Sequence, residues 1–229
     1  MKTMPKLTAL LTAVFAFPAV AHNVWLEKTA NGTEYVVKFG HKETETYAEH
    51  KLTKVTAVLK DDRQQPLKTV FNNGEAYINL PTDTGLVLID FNNGTWCKMP
   101  NGKYVEGSKT NTTNAVTCLA AQKIGKVVIK VDDNLLKSRH ERYELIPQSL
   151  PEAGKPLAIL ALKNGKPVQG IGVGEGEDAP LQQTNEQGIA YYTPKAGLNK
   201  VWAEFTEDTP NNPDYHSVSI EYLLTFELK

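Results

Sequence analysis

Five histidines hold most of the chemistry open to this chain: His22, His41, His50, His140 and His216. His22 follows directly on Ala19-Val20-Ala21, a small-x-small sequence of the kind a signal peptidase cuts. A cut after Ala21 makes His22 the first residue, with an α-amine and a ring Nδ1 on one backbone unit. A free α-amine (pKa about 8) and an imidazole (about 6.5) both yield readily to a competing metal near neutral pH. Together they close a chelate ring, and the second donor binds without a separate ordering cost. Nitrogen donors of this type suit Cu, Ni, Co and Zn rather than Mg or Ca.

One more imidazole makes a three-nitrogen site, and His41, in VVKFGHKETETY, is placed to give it. If Val24 to Leu26 pairs with Tyr35 to Phe39 around Asn31-Gly32, antiparallel geometry puts His22 and His41 at the same end of the hairpin. Glu43, Glu45 or His50 can complete the shell or can simply be solvated loop residues. His140 and His216 are adequately explained as surface or hydrogen-bonded residues, although His216, in DYHSVS, can approach through a contact between domains. Other chemistry has no foothold: the chain contains no G-x-S-x-G elbow, no H-E-x-x-H helix and no P-loop. Gly170, Gly172, Gly174 and Gly176 alternate in GIGVGEGED, but without a G-x-G-x-x-G register, and Glu175, Glu177 and Asp178 repel phosphate. That stretch reads as a flexible acidic loop. Cys97 and Cys118 are expected to pair in an oxidising compartment rather than bind metal, closing a loop of about 20 residues worth roughly 3 kcal/mol.

The elements that must hold these residues begin after an export signal. Lys2 and Lys6, an apolar run from Leu7 to Phe17 and the cleavage site follow one another in order, so residues 1–21 read as a cleavable signal peptide and the chain as exported. Removing them takes the balance from 25 basic against 26 acidic residues to 23 against 26, a net charge of −3. That mild charge carries no basic face, so nucleic acid is not an expected partner.

Strands dominate the rest. Glu34–Phe39, Lys54–Leu59, Ala76–Leu80, Leu86–Phe91 and Lys126–Val131 are rich in β-branched residues. Asn31-Gly32, Asn73-Gly74, Asn93-Gly94 and Asn101-Gly102 mark turns. Val218, Ile220, Tyr222, Leu224, Phe226 and Leu228 alternate with Ser219, Glu221, Leu223, Thr225 and Glu227, the period of a strand with one buried face. One short helix is expected from about Ala115 to Ile124. Proline and glycine concentrate in IPQSLPEAG, which divides residues 22–147, a β-rich metal-binding domain, from 148–229, a small immunoglobulin-like or carboxypeptidase-regulatory-like sandwich. The fold class is therefore all-β, with two sandwich domains.

The segments AHNVWLE, VKFGH, ERYELIPQ, GKPLAILALKNGKPVQGIGV, TNEQGIAYYTPKAGLNKVWAEF and YHSVSIEYLLTFEL, in this order, resemble the exported bacterial nickel-uptake accessory proteins of the NikK/NikL type. The resemblance spans the mature chain and is most specific at His-x-x-Trp-Leu with Phe-Gly-His; Lys42 departs from the small residue expected there. It implies a non-catalytic periplasmic protein that binds Ni²⁺, alternatively Co²⁺ or Cu²⁺. The partner it implies is a membrane-embedded transporter component of the energy-coupling type. Only His22 and His41 carry over as ligands. A copper protein of the histidine-brace type, as carrier or monooxygenase, shares that ligand pair, and a purely structural exported sandwich needs no metal.

Overall fold

The computed structural model describes residues 22–41 and 43–229; the expected signal peptide and Lys42 lie outside the described residues. Strands come in quick succession: β1 (Asn23–Lys28), β2 (Tyr35–Gly40), β3 (Thr44–Glu45), β4 (Leu52–Leu59), β5 (Gln64–Pro66) and β6 (Val70–Asn72). Next come β7 (Glu75–Ile78), β8 (Thr84–Lys98), β9 (Tyr104–Glu106), β10 (Thr117–Val128), β11 (Tyr143–Pro147) and β12 (Leu157–Lys163). The chain ends with β13 (Lys166–Pro167), β14 (Gly172–Gly174), β15 (Gln182–Gln183), β16 (Ile189–Tyr192), β17 (Gly197–Asp208) and β18 (Ser217–Leu228). The fold is all-β; the helical content of the described residues is two short 3₁₀ turns, Glu49–Lys51 and Asp133–Leu136.

Three sheets stack in layers. The central one has nine strands in the order β15-β14-β17-β18-β10-β8-β4-β5, with β9 on β8. It takes strands from both sides of residue 147, and the join is the parallel pair β10–β18. On one face lies the sheet of β1, β2, β7, β6 and β3; Val24, Val37, Phe39 and Ile78 pack there against Val87, Ile89, Phe91 and Val127. On the other lies the sheet of β11, β12, β13 and β16, whose Leu145, Leu157 and Ile159 meet Phe205, Ile220, Tyr222 and Phe226.

Three expectations need correction. The helix expected over Ala115–Ile124 is absent, because Thr117–Val128 is strand β10. Its Ala, Gln and Lys residues favour a helix only in isolation. Here Cys118 pairs opposite Cys97 in the β8–β10 ladder, and β18 takes the other edge. Asn93-Gly94 is not a turn. It lies inside β8, where Ala121 pairs with Gly94 and Gln122 with Asn92, so Asn93 is the extra residue of a bulge with Gly94 at φ 87°. Finally, β18 is buried on both faces: Ser219 and Glu221 lie beside Trp96 and Tyr104, and Thr225 beside Trp25 and Leu26. Asn73-Gly74 and Asn164-Gly165, by contrast, adopt the paired positive φ that two-residue hairpins require.

Candidate metal centre

The β1–β2 hairpin has the expected register. Asn23 pairs with Gly40 and Val24 with Phe39, so His22 and His41 are the next positions beyond the last pair. Gly125 on β10 lets β1 lie close to the central sheet: a Cβ there would stand 2.9 Å from the Val24 carbonyl. Gly40, at φ 149°, lets the chain turn back into β3, where a Cβ would meet the Glu43 carbonyl at 2.1 Å.

His22 is firmly seated. Its ring stacks on Phe39 with centroids 4.8 Å apart, and Phe39 stacks on Phe91 at 4.7 Å, a three-ring column from the hairpin into the central sheet. Its Nε2 lies 2.7 Å from Glu45 Oε1. A carboxylate accepts, so in the neutral imidazole this contact puts the proton on Nε2 and leaves the Nδ1 lone pair open to a metal. That Nδ1 is buried and has no hydrogen-bond partner among the described residues. It is the nitrogen that a chelate with the α-amine requires, and the carboxylate behind the ring is the usual device for orienting a histidine ligand.

His41 turns the other way. Its Nε2 is 3.1 Å from Asp178 Oδ2, and ligand atoms of His41, Glu177 and Asp178 all lie within 4.8 Å of one another. His22 is not a member of that group. Both acids belong to the loop between β14 and β15, so residues far apart in sequence converge at the hairpin's end. Burial pushes the Glu177 carboxyl up; His41 and Lys123 pull it down, while Asp178 and Glu204 push it up.

Behind this group runs a row of charges across three strands. Glu204 on β17 pairs with Glu221 on β18, which pairs with Lys123 on β10. Lys123 Nζ is 2.5 Å from Glu221 Oε1, Ser219 Oγ donates to Glu204 Oε1 at 2.6 Å, and Glu221 Oε2 is buried without a partner among the described residues. Burial raises the Glu221 pKa to about 7 against the pull of Lys123. Trp96, Tyr104 and this row line a half-open pocket of about 50 Å³.

A model of a domain of unknown function, DUF4198, matches residues 19–207. The chain belongs to the DUF4198 family. An uncharacterized protein of Haemophilus influenzae is 49% identical over 225 residues, covering 98% of each chain. No solved structure matches. The family match takes in His22, His41, Lys123, Glu177, Asp178 and Glu204 but ends before β18; the Haemophilus protein's alignment covers nearly the whole chain.

The other histidines stand apart. His216 Nδ1 accepts the Cys118 backbone N–H at 2.9 Å, a structural bond beside the Cys97–Cys118 disulfide. His50 is exposed on the 49–51 turn, and His140 is exposed at φ 58°. Glu45, one of the three residues proposed to complete the shell, reaches His22. Sequence reasoning missed Glu177 and Asp178 as partners of His41, and it missed the Lys123–Glu221–Glu204 row. The available signal was Glu221 itself, a charge in the middle of an otherwise strongly apolar strand.

Proposed function

We propose that the exported chain is a periplasmic metal-binding protein that grips one divalent transition ion through the α-amine and Nδ1 of a processed His22, with His41 as the third nitrogen once its ring leaves Asp178. The observation that carries this is His22 Nδ1, buried and without a partner among the described residues while Glu45 holds the opposite ring nitrogen. Glu177 and Asp178 add oxygen donors within reach of His41. Such a nitrogen-rich set favours Ni²⁺, Co²⁺ or Cu²⁺ over Mg²⁺ or Ca²⁺. The finer reading is nickel or cobalt uptake, with the chain serving as an accessory to a membrane-embedded transporter of the energy-coupling type. Its support is the resemblance described above, because ligand chemistry alone ranks Cu²⁺ at least level with Ni²⁺. No catalytic role is assigned.

Isothermal titration of protein beginning at His22 tests the site. The expected result is one Ni²⁺ per chain, with binding weakened at least about tenfold when one residue precedes His22, since a peptide nitrogen replaces the amine. Equal affinity of the extended protein would remove the terminal chelate.

A further inference from the structure

His41 also lines a groove of about 260 Å³ together with Trp25, Leu26, Glu43, Leu198 and Lys200. Part of its wall serves no bare ion. An indole and two leucines offer a hydrated dication nothing, and Leu198 is 56% exposed although it stands beside a polar site. Among the described residues, Lys200 is the one lysine or arginine of the lining. Its Nζ lies 5.2 Å from the centre of the Trp25 ring, and among the described residues it forms no ion pair. An ammonium beside a dication site repels the naked ion and attracts a carboxylate. Trp25 is fixed in place, because its Nε1 donates to Glu27 Oε1 at 2.9 Å.

We propose that the ion arrives chelated, as a one-to-one complex with a small amino-acid-type carboxylate whose carbon body lies against Trp25 and Leu198 and whose carboxylate meets Lys200. This rests on the metal reading above and names the form of its cargo. Glu27 and Glu43 also line the groove, so a chelator of low net charge fits it better than a polycarboxylate. A one-to-one complex with a tridentate amino acid leaves coordination positions for the chain's own nitrogens; a fully saturated complex leaves none.

Native mass spectrometry and titration with three probes decide the matter: Ni²⁺ alone, Ni²⁺ with one equivalent of L-histidine, and Ni²⁺ with one equivalent of citrate. The expected species is chain plus nickel plus histidine, with the citrate complex held more weakly. Lys200→Gln and Lys200→Glu, both at an exposed position, should weaken the ternary complex about tenfold or more while leaving Ni²⁺ alone unaffected or tighter. The proposal is overturned if histidine strips the ion from the chain, if citrate is preferred, or if both Lys200 variants bind the ternary complex as the wild type does. A chain that takes up no nickel with any of the three probes refutes the metal reading itself, a different result from one that binds nickel and excludes the chelator.

Discussion

Strand β10 buries two lysines three residues apart, and the two solve the same problem in opposite ways. Lys123 faces the β1–β2 side and meets a carboxylate, Glu221, at 2.5 Å. Lys126 faces the apolar core and meets only the carbonyls of Leu135 and Leu145, at 3.5 and 3.4 Å. Burial lowers the Lys126 pKa to about 8, the nearby Glu144 opposing and Arg139 assisting. One side of the central sheet therefore keeps its buried charge in an organised row that continues electrostatically to Glu177 and His41. The other leaves its lysine on weak acceptors, with the buried Glu144 nearby but bonded to Ser138 and the Arg139 backbone N–H. A buried ion pair gives little net stability, so the row's presence next to the candidate metal centre points to function rather than to folding.

Breaking the row should give the largest effect. Lys123→Met strands Glu221 beside Glu204, two carboxylates directly opposite on neighbouring strands. A loss of about 3–5 kcal/mol is expected in urea denaturation. The double variant Lys123→Met, Glu221→Leu should recover most of that loss. A single variant as stable as wild type would mean that the row is not charged in the folded protein.

Gly125 lies between the two lysines and tests the geometry rather than the charge. Gly125→Ala pushes a methyl against the Val24 carbonyl at 2.9 Å and against Ile89 at 3.3 Å, and the backbone atom cannot rotate away. A destabilisation of about 1–3 kcal/mol is expected from overpacking. Because β1 holds His22, nickel affinity should fall with it. Thermal melting and titration on the same sample check both.

Lys126→Met has the opposite sign. At pH 7 the ammonium is buried at a cost the carbonyls do not recover, so replacing it by an apolar side chain of similar length should stabilise by about 1–3 kcal/mol. The folded pKa lies below the unfolded one, so the wild type gains stability as pH rises from about 8 to 10.5. The variant should show no such gain.

How much of this the sequence revealed follows from the range of each interaction. The β1–β2 hairpin was legible because turn chemistry and strand alternation are local, and the disulfide because two cysteines behind an export-like leader sequence have few expected options. The His41–Asp178 contact spans 137 residues and depends on how the β14–β15 loop is brought over the hairpin, which no local pattern encodes. The helix expected at Ala115–Ile124 failed for the same reason: strands β8 and β18, not the segment's own propensity, decide β10. In β18 the alternation itself was read correctly but its polar side was assigned to solvent. Ser219, Glu221 and Thr225 are instead buried, the first two beside Trp96 and Tyr104 and the last beside Trp25. Polar residues alternating along a strand mark a distinct face, and only the tertiary structure says whether water or a binding site occupies it.

The smallest expected effect separates the two lysine environments by pH. Glu221 has its pKa raised by burial to about 7, above its unfolded value near 4.5. Between those limits the folded protein holds the extra proton, so this group's contribution to stability is fully present below about pH 4.5 and is lost as pH rises through 7. That pKa already includes the opposing pull of Lys123, so the drift should be about 1 kcal/mol per pH unit between those limits. Glu221→Gln should flatten the curve between pH 4.5 and 7 without touching the alkaline rise due to Lys126. Denaturant midpoints measured from pH 4 to 11 on wild type, Glu221→Gln and Lys126→Met would place each change on its own side of neutrality. An alkaline rise that vanishes with Glu221→Gln would show that the two faces of the sheet are coupled, and the contrast drawn between the two lysines would fail.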